Sequence, residues 1–156
     1  VSDSPPAARF SSFAEFWPYY ISEHRDPRCR ALHFVGTTAF FAVLASCIFA
    51  TPLRMAAALL LSAALVFATR HMDARRSSAP VLLAVIVVNA VANPAVLAGV
   101  VCAYGGAWVG HFVIEKNRPA TFTYPMWSLA GDFRMYGWML RGRLWRGHGE
   151  EVAPLA

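Results

Sequence analysis

The sequence predicts an all-α fold, an integral membrane bundle of about four transmembrane helices with interfacial helices at both ends. Three observations carry this expectation. Residues 31–53, 55–69 and 77–114 contain no Asp, Glu, Lys or Arg, and a bilayer core takes roughly 20 apolar residues per crossing helix, more than a soluble core requires. The 156 residues are 57% hydrophobic and 15% charged, shifted away from the composition of a soluble globular domain. The basic residues behind the net charge of +5 flank the apolar runs rather than alternate with exposed aromatics, so they read as orientation and headgroup contacts and not as a nucleic-acid surface.

Taken in order, residues 1–9 with Pro5 and Pro6 read as a disordered tail, and no signal peptide is expected because the first apolar run starts near residue 31. Ser12 and Glu15 fit a capping box at the start of a short helix. Its aromatics (Phe10, Phe13, Phe16, Trp17, Tyr19, Tyr20) suit either the headgroup layer or a face packed on the bundle, with Pro18 bending the helix. A polar turn around Pro27, with Arg25, Arg28 and Arg30, feeds the first span at 31–50. Thr51-Pro52 turns the chain into a second span at 53–69, where Arg54 can snorkel. A basic loop from Arg70 to Arg76 follows. The uncharged stretch beyond it is divided at Asn93-Pro94 into spans at 79–92 and 95–114. The first of these is short, about 21 Å, and its Asn89 needs a partner in the bundle. Gly106 and Gly110 form a G-x-x-x-G face for close helix packing.

His111 and Glu115, four residues apart, face the same way on an α-helix and can serve one site. Lys116, Arg118 and Pro119 end the segment. Residues 121–140 are aromatic but broken by Pro125, Gly131, Asp132 and Arg134, which indicates an interfacial segment. Residues 141–156, with Arg141, Arg143 and Arg146, form a basic tail that is solvated or bound to headgroups. The three cysteines, Cys29, Cys47 and Cys102, are too dispersed for a disulfide framework or a thiolate zinc site.

The cationic boundaries put both termini and the 70–76 loop on the cytoplasmic side. His24, His33, His71, His111, Glu115 and Asp132 then share one membrane face. Taken singly, His33 and His111 read as hydrogen-bonded interface residues and His71 as solvated. Together they read as a metal site whose nitrogen and oxygen donors suit iron, zinc or manganese. Asp132 can join it or pair with Arg134 or Arg118.

Two blocks carry a resemblance to a known family: FAEFWPYYISEHRDPRCRALHFVG at 13–36, and WVGHFVIEKNRPA at 108–120 with SLAGD at 128–132. The chain, over 10–140, resembles the membrane family typified by the fungal 2-hydroxy fatty acid dioxygenase. Cys29 stands where that family often has asparagine, and the 70–78 region with the third span is longer than in compact members. The resemblance implies an Fe(II)-dependent oxygenase that shortens 2-hydroxy fatty acids by one carbon using dioxygen. It makes His24, His33 and His111 the metal ligands and His111 and Glu115 the catalytic pair. His71 and Asp132 remain possible further ligands. Arg30 or Arg118 could fork onto the substrate carboxylate, or onto phospholipid. The alternatives are a metal-dependent enzyme acting on another lipid (including zinc hydrolysis), a non-enzymatic membrane protein, and haem ligation.

Overall fold

The computed structural model of the chain describes residues 10–71 and 78–149. The expected tail at 1–9, most of the basic loop, and the last seven residues lie outside the described residues. Those described form six α-helices and no strands, so the all-α expectation holds.

Helix α1 (Phe13–Ser22) begins on Ser12, whose hydroxyl accepts from the Glu15 amide at 3.2 Å. The box closes one residue earlier than expected, because the Glu15 carboxylate reaches the amide and hydroxyl of Ser11, at 2.9 and 2.8 Å. The helix runs on through Pro18. Helix α2 (Pro27–Ala50) starts four residues before the predicted span. Pro27 occupies its first turn, where the missing N–H costs nothing, and Asp26 caps it by accepting from the Arg28 amide at 2.8 Å. Arg28, Cys29 and Arg30 are therefore helical.

Helices α3 (Pro52–Ala68) and α4 (Ala79–Ala92) agree with the predicted second and third spans to within a residue. The turns at 51 and 93 are tied together, Asn93 Nδ2 donating to Thr51 Oγ1 at 3.2 Å. Asn89 finds its partner in Ser62, at 2.8 Å. Helix α5 (Val96–Val109) continues into a π-helical turn, Gly110–Glu115. Two continuous helices, Pro27–Ala50 and Val96–Glu115, are long and apolar enough to cross a membrane; α3 and α4 are apolar but shorter. The outward surfaces of all four carry exposed large apolar residues, among them Phe49, Leu53, Leu60, Val91 and Val101.

The α2–α5 seam is held close by glycines. A Cβ on Gly106 would stand 2.7 Å from the Leu32 carbonyl oxygen, and one on Gly110 would stand 2.8 Å from Cys29 Sγ, whereas Gly105 faces open space. Gly106→Ala is therefore expected to destabilise the protein by about 1–3 kcal/mol, because a backbone oxygen cannot yield as a side chain can. Gly105→Ala should be neutral or mildly stabilising. Unfolding of both variants in detergent checks this, and equal effects would contradict the seam.

Two expectations need correction, and one open alternative is decided. Residues 125–140 form an unbroken helix, α6 (Pro125–Leu140), starting on Pro125. Gly131 does not break it but lets the Tyr20 ring approach, to 2.8 Å from where a Cβ would lie. Second, the α1 rings Phe16, Trp17 and Tyr20 are buried against α6 in one cluster with Tyr124, Met135 and Met139, so they face protein. Third, the described part of the basic tail folds back: Leu144 is 2% exposed and joins the same cluster. Helices α1 and α6 thus close one end of the bundle.

Candidate metal centre

At that closed end three imidazoles meet. His24 sits in the turn after α1, His33 two turns into α2, and His111 in the π turn. Their ring centroids are 4.6 Å (His24–His33), 4.5 Å (His24–His111) and 5.3 Å (His33–His111) apart. All three are buried.

Each ring is anchored through Nδ1. His24 Nδ1 lies 2.6 Å from the Tyr20 carbonyl oxygen, His33 Nδ1 lies 2.7 Å from Asp132 Oδ1, and His111 Nδ1 lies 2.8 Å from Asn117 Oδ1. A carbonyl and a carboxylate only accept. The Asn117 amide nitrogen is already spent on the Glu23 carbonyl and carboxylate oxygens, both at 2.9 Å. These acceptors fix the tautomer: Nδ1 carries the hydrogen in each ring and Nε2 keeps its lone pair. Nε2 of His24 and of His33 are buried and have no hydrogen-bond partner. Unpaired buried polar atoms are costly, and imidazoles held by an acceptor on the far nitrogen are the usual support of metal-bound histidine. The residues present therefore fit a metal ion held on nitrogen.

Burial, reinforced by the neighbouring His33 and His111, holds the His24 pKa well below its ordinary value, with the bond to Tyr20 opposing. The neutral ring is the form that coordinates. Burial, and then Asp132, pushes the Tyr20 phenol well above its usual range, so it stays protonated and donates to Asp132 Oδ1 at 2.5 Å. Tyr20, Asp132 and His33 form one chain. A second chain runs from Glu23 through Asn117 to His111. It depends on Lys116, whose left-handed backbone (φ 54°) turns Asn117 back onto the His111 carbonyl at 3.1 Å.

Donor atoms of His24, His33 and Asp132 lie within 4.8 Å of one another, as do those of His24, Cys29 and His111. The structure thus brings His24, His33, His111 and Asp132 together and orients Asp132 onto His33 instead of Arg134 or Arg118. It does not bring in the others. His71 is exposed in the turn after α3. Glu115 accepts from the Asp26 amide at 2.6 Å, tied to the start of α2 in a separate polar recess with Arg25 and His148. Arg118 is exposed and lies over the Phe122 ring at 5.1 Å.

Arg30 is fully buried, and all five of its N–H groups are donated to carbonyls: Nε to Leu144, Nη1 to His24 and Arg25, Nη2 to Arg146 and Gly147. It clamps the C-terminal segment and has no donor left for a substrate carboxylate.

Sequence reasoning missed the supporting contacts of Tyr20 and Asn117 and the nearness of Cys29 to the histidines. Tyr20 precedes His24 by one helical turn, and Asn117 lies inside the second motif block, but neither spacing reveals which atom it supports.

From the histidines a cavity of about 310 Å³ runs between the helices. Its walls are mainly apolar, with Phe40, Leu44, Val85 and Val100 among them. Lining residues from His111 back to Val96 on α5 give it a length of about 20 Å at 1.5 Å per residue. A polar centre thus opens into a narrow apolar slot.

A family model described as Mpo1-like, 2-hydroxy-palmitic acid dioxygenase Mpo1-like, matches residues 10–144. No curated protein and no solved structure matches the chain.

Proposed function

We propose that this chain, which belongs to the Mpo1-like family, is a membrane-embedded, Fe(II)-dependent dioxygenase that shortens 2-hydroxy fatty acids by one carbon. The observation that carries the reading is the set of three Nδ1-anchored imidazoles, two with unpaired buried Nε2 atoms, at the head of an apolar slot.

His24, His33 and His111 would hold the ion through Nε2, with Asp132 and Cys29 at its margin. An Fe(II) ion bound with open positions supplies the activation of dioxygen. The protein's own residues do the rest. Asp132 and Asn117 keep the His33 and His111 rings in the coordinating tautomer, and Tyr20 holds Asp132 in place. The slot takes the acyl chain and excludes water from it, so burial of methylenes, each contributing about 0.8 kcal/mol, draws the head to the metal. A polar head and an apolar tail match a polar centre at the closed end of an apolar bundle. The outward apolar residues of α2–α5 face lipid in this reading, and under the positive-inside rule both termini would lie on the cytoplasmic side.

The test is anaerobic Fe(II) loading of detergent-purified protein, followed by metal analysis and oxygen consumption with 2-hydroxypalmitate. Iron retention, oxygen uptake and a product one carbon shorter are expected. Zinc retention without oxygen uptake would overturn the iron reading in favour of another lipid reaction. Val100→Phe, which narrows the slot away from the histidines, should shift preference to shorter 2-hydroxy acids with iron content unchanged. An unaltered chain-length profile would remove the slot from the argument.

A further inference from the structure

We infer that Ser128 reads the 2-hydroxyl group of the substrate and sets the preference for 2-hydroxy over unsubstituted fatty acids; this rests on the function proposed above. Ser128 is 2% exposed, lines the cavity, and its Oγ has no hydrogen-bond partner. A buried serine in a helix can usually return its hydroxyl to a carbonyl of the preceding turn. This one does not, and it stands in the cavity wall. On α6 it lies one turn before Asp132, about 6 Å along the axis and on the same face. Asp132 in turn is bonded to His33. Ser128 therefore belongs to the head end of the slot.

Charge decides which part of the head it meets. Arg30 is consumed by backbone carbonyls and Arg118 lies at the surface, and among the described residues no arginine lines the cavity to draw the substrate carboxylate toward α6. Asp132 on the same wall repels a carboxylate. The neutral 2-hydroxyl is the head group that suits this wall. A hydroxyl both donates and accepts, so a single bond to it satisfies the Ser128 oxygen. An unsubstituted acid leaves that oxygen unpaired, which is how a buried polar group discriminates against the analogue that lacks its partner.

The experiment is competitive displacement of a fluorescent fatty acid from the iron-loaded protein under anaerobic conditions, where no turnover occurs, with 2-hydroxypalmitate and palmitate as competitors. The wild-type protein should prefer 2-hydroxypalmitate. Ser128→Ala should lose about tenfold of that preference with palmitate affinity unchanged, and Ser128→Thr, which keeps the hydroxyl, should retain it. An unchanged preference in Ser128→Ala would overturn the inference, as would an equal loss for both acids, the mark of a packing role. Failure of the wild-type protein to bind either acid while holding iron would instead sink the proposed function, and the inference with it.

Discussion

Replacing His33 or His111 by alanine should abolish stoichiometric metal binding and lower oxygen consumption by at least about a hundredfold, while helical content persists. The size of the effect follows from geometry. In the proposed centre three Nε2 atoms would supply the nitrogen donors, two of them otherwise unpaired and buried, and removing one would strip the ion of a third of its imidazole ligation. Asn117→Ala should act more weakly, costing about 10–100-fold in metal affinity, because it removes only the acceptor that holds the His111 tautomer. Glu115→Gln should leave bound iron near the wild-type amount, since that carboxylate is engaged with the Asp26 amide. Metal analysis with circular dichroism on the four proteins separates these outcomes. Retention of full iron by His111→Ala would dismiss the centre, and loss of iron in Glu115→Gln with retention in Asn117→Ala would restore Glu115 as a ligand.

The second large effect is on stability. Arg30→Met is expected to destabilise the protein by at least about 3 kcal/mol, because it removes five charge-assisted bonds and leaves the buried carbonyl oxygens of His24 and Leu144 unpaired. The five acceptors lie on two segments far apart in sequence, the turn at His24–Arg25 and the strip from Leu144 to Gly147. Losing the clamp should release the C-terminal strip and expose the peptide bonds after Arg143 and Arg146 to trypsin. Arg118→Ala, at an exposed position, should change stability by less than about 0.5 kcal/mol. A variant of Arg30 that unfolds like the wild type, resists trypsin, and loses only substrate affinity would instead return this residue to carboxylate binding.

Arg30 also shows where sequence reading stops. A buried arginine near a helix start has the same sequence signature whether it grips a phosphate, a substrate or the backbone. The distinction lies in contacts 114 to 117 residues away. Glu115 is a parallel case: its spacing from His111 permits a shared site, but the amide of Asp26, 89 residues earlier, captures it. The aromatic face of α1 likewise fitted two partners, lipid headgroups or protein, and the choice fell to Gly131, whose missing side chain makes room for Tyr20.

The amino-acid sequence by itself determined the helical class, the bounds of the helices α3 and α4 nearly to the residue, the glycine seam and the family, and it singled out the three histidines that the fold brings together. These are properties of local hydropathy, of proline and asparagine at turns, and of motif spacing, all carried by neighbouring residues. Only the tertiary structure decided which histidine nitrogen faces inward, that Asp132 orients His33, that Arg30 is a clamp, and that the C-terminal strip folds back. Hydropathy states whether a group leaves water. The partner it meets is set by how helices distant in sequence pack, and at this centre that packing brings three imidazole rings within 5.3 Å of one another and buries the Nε2 atoms of His24 and His33.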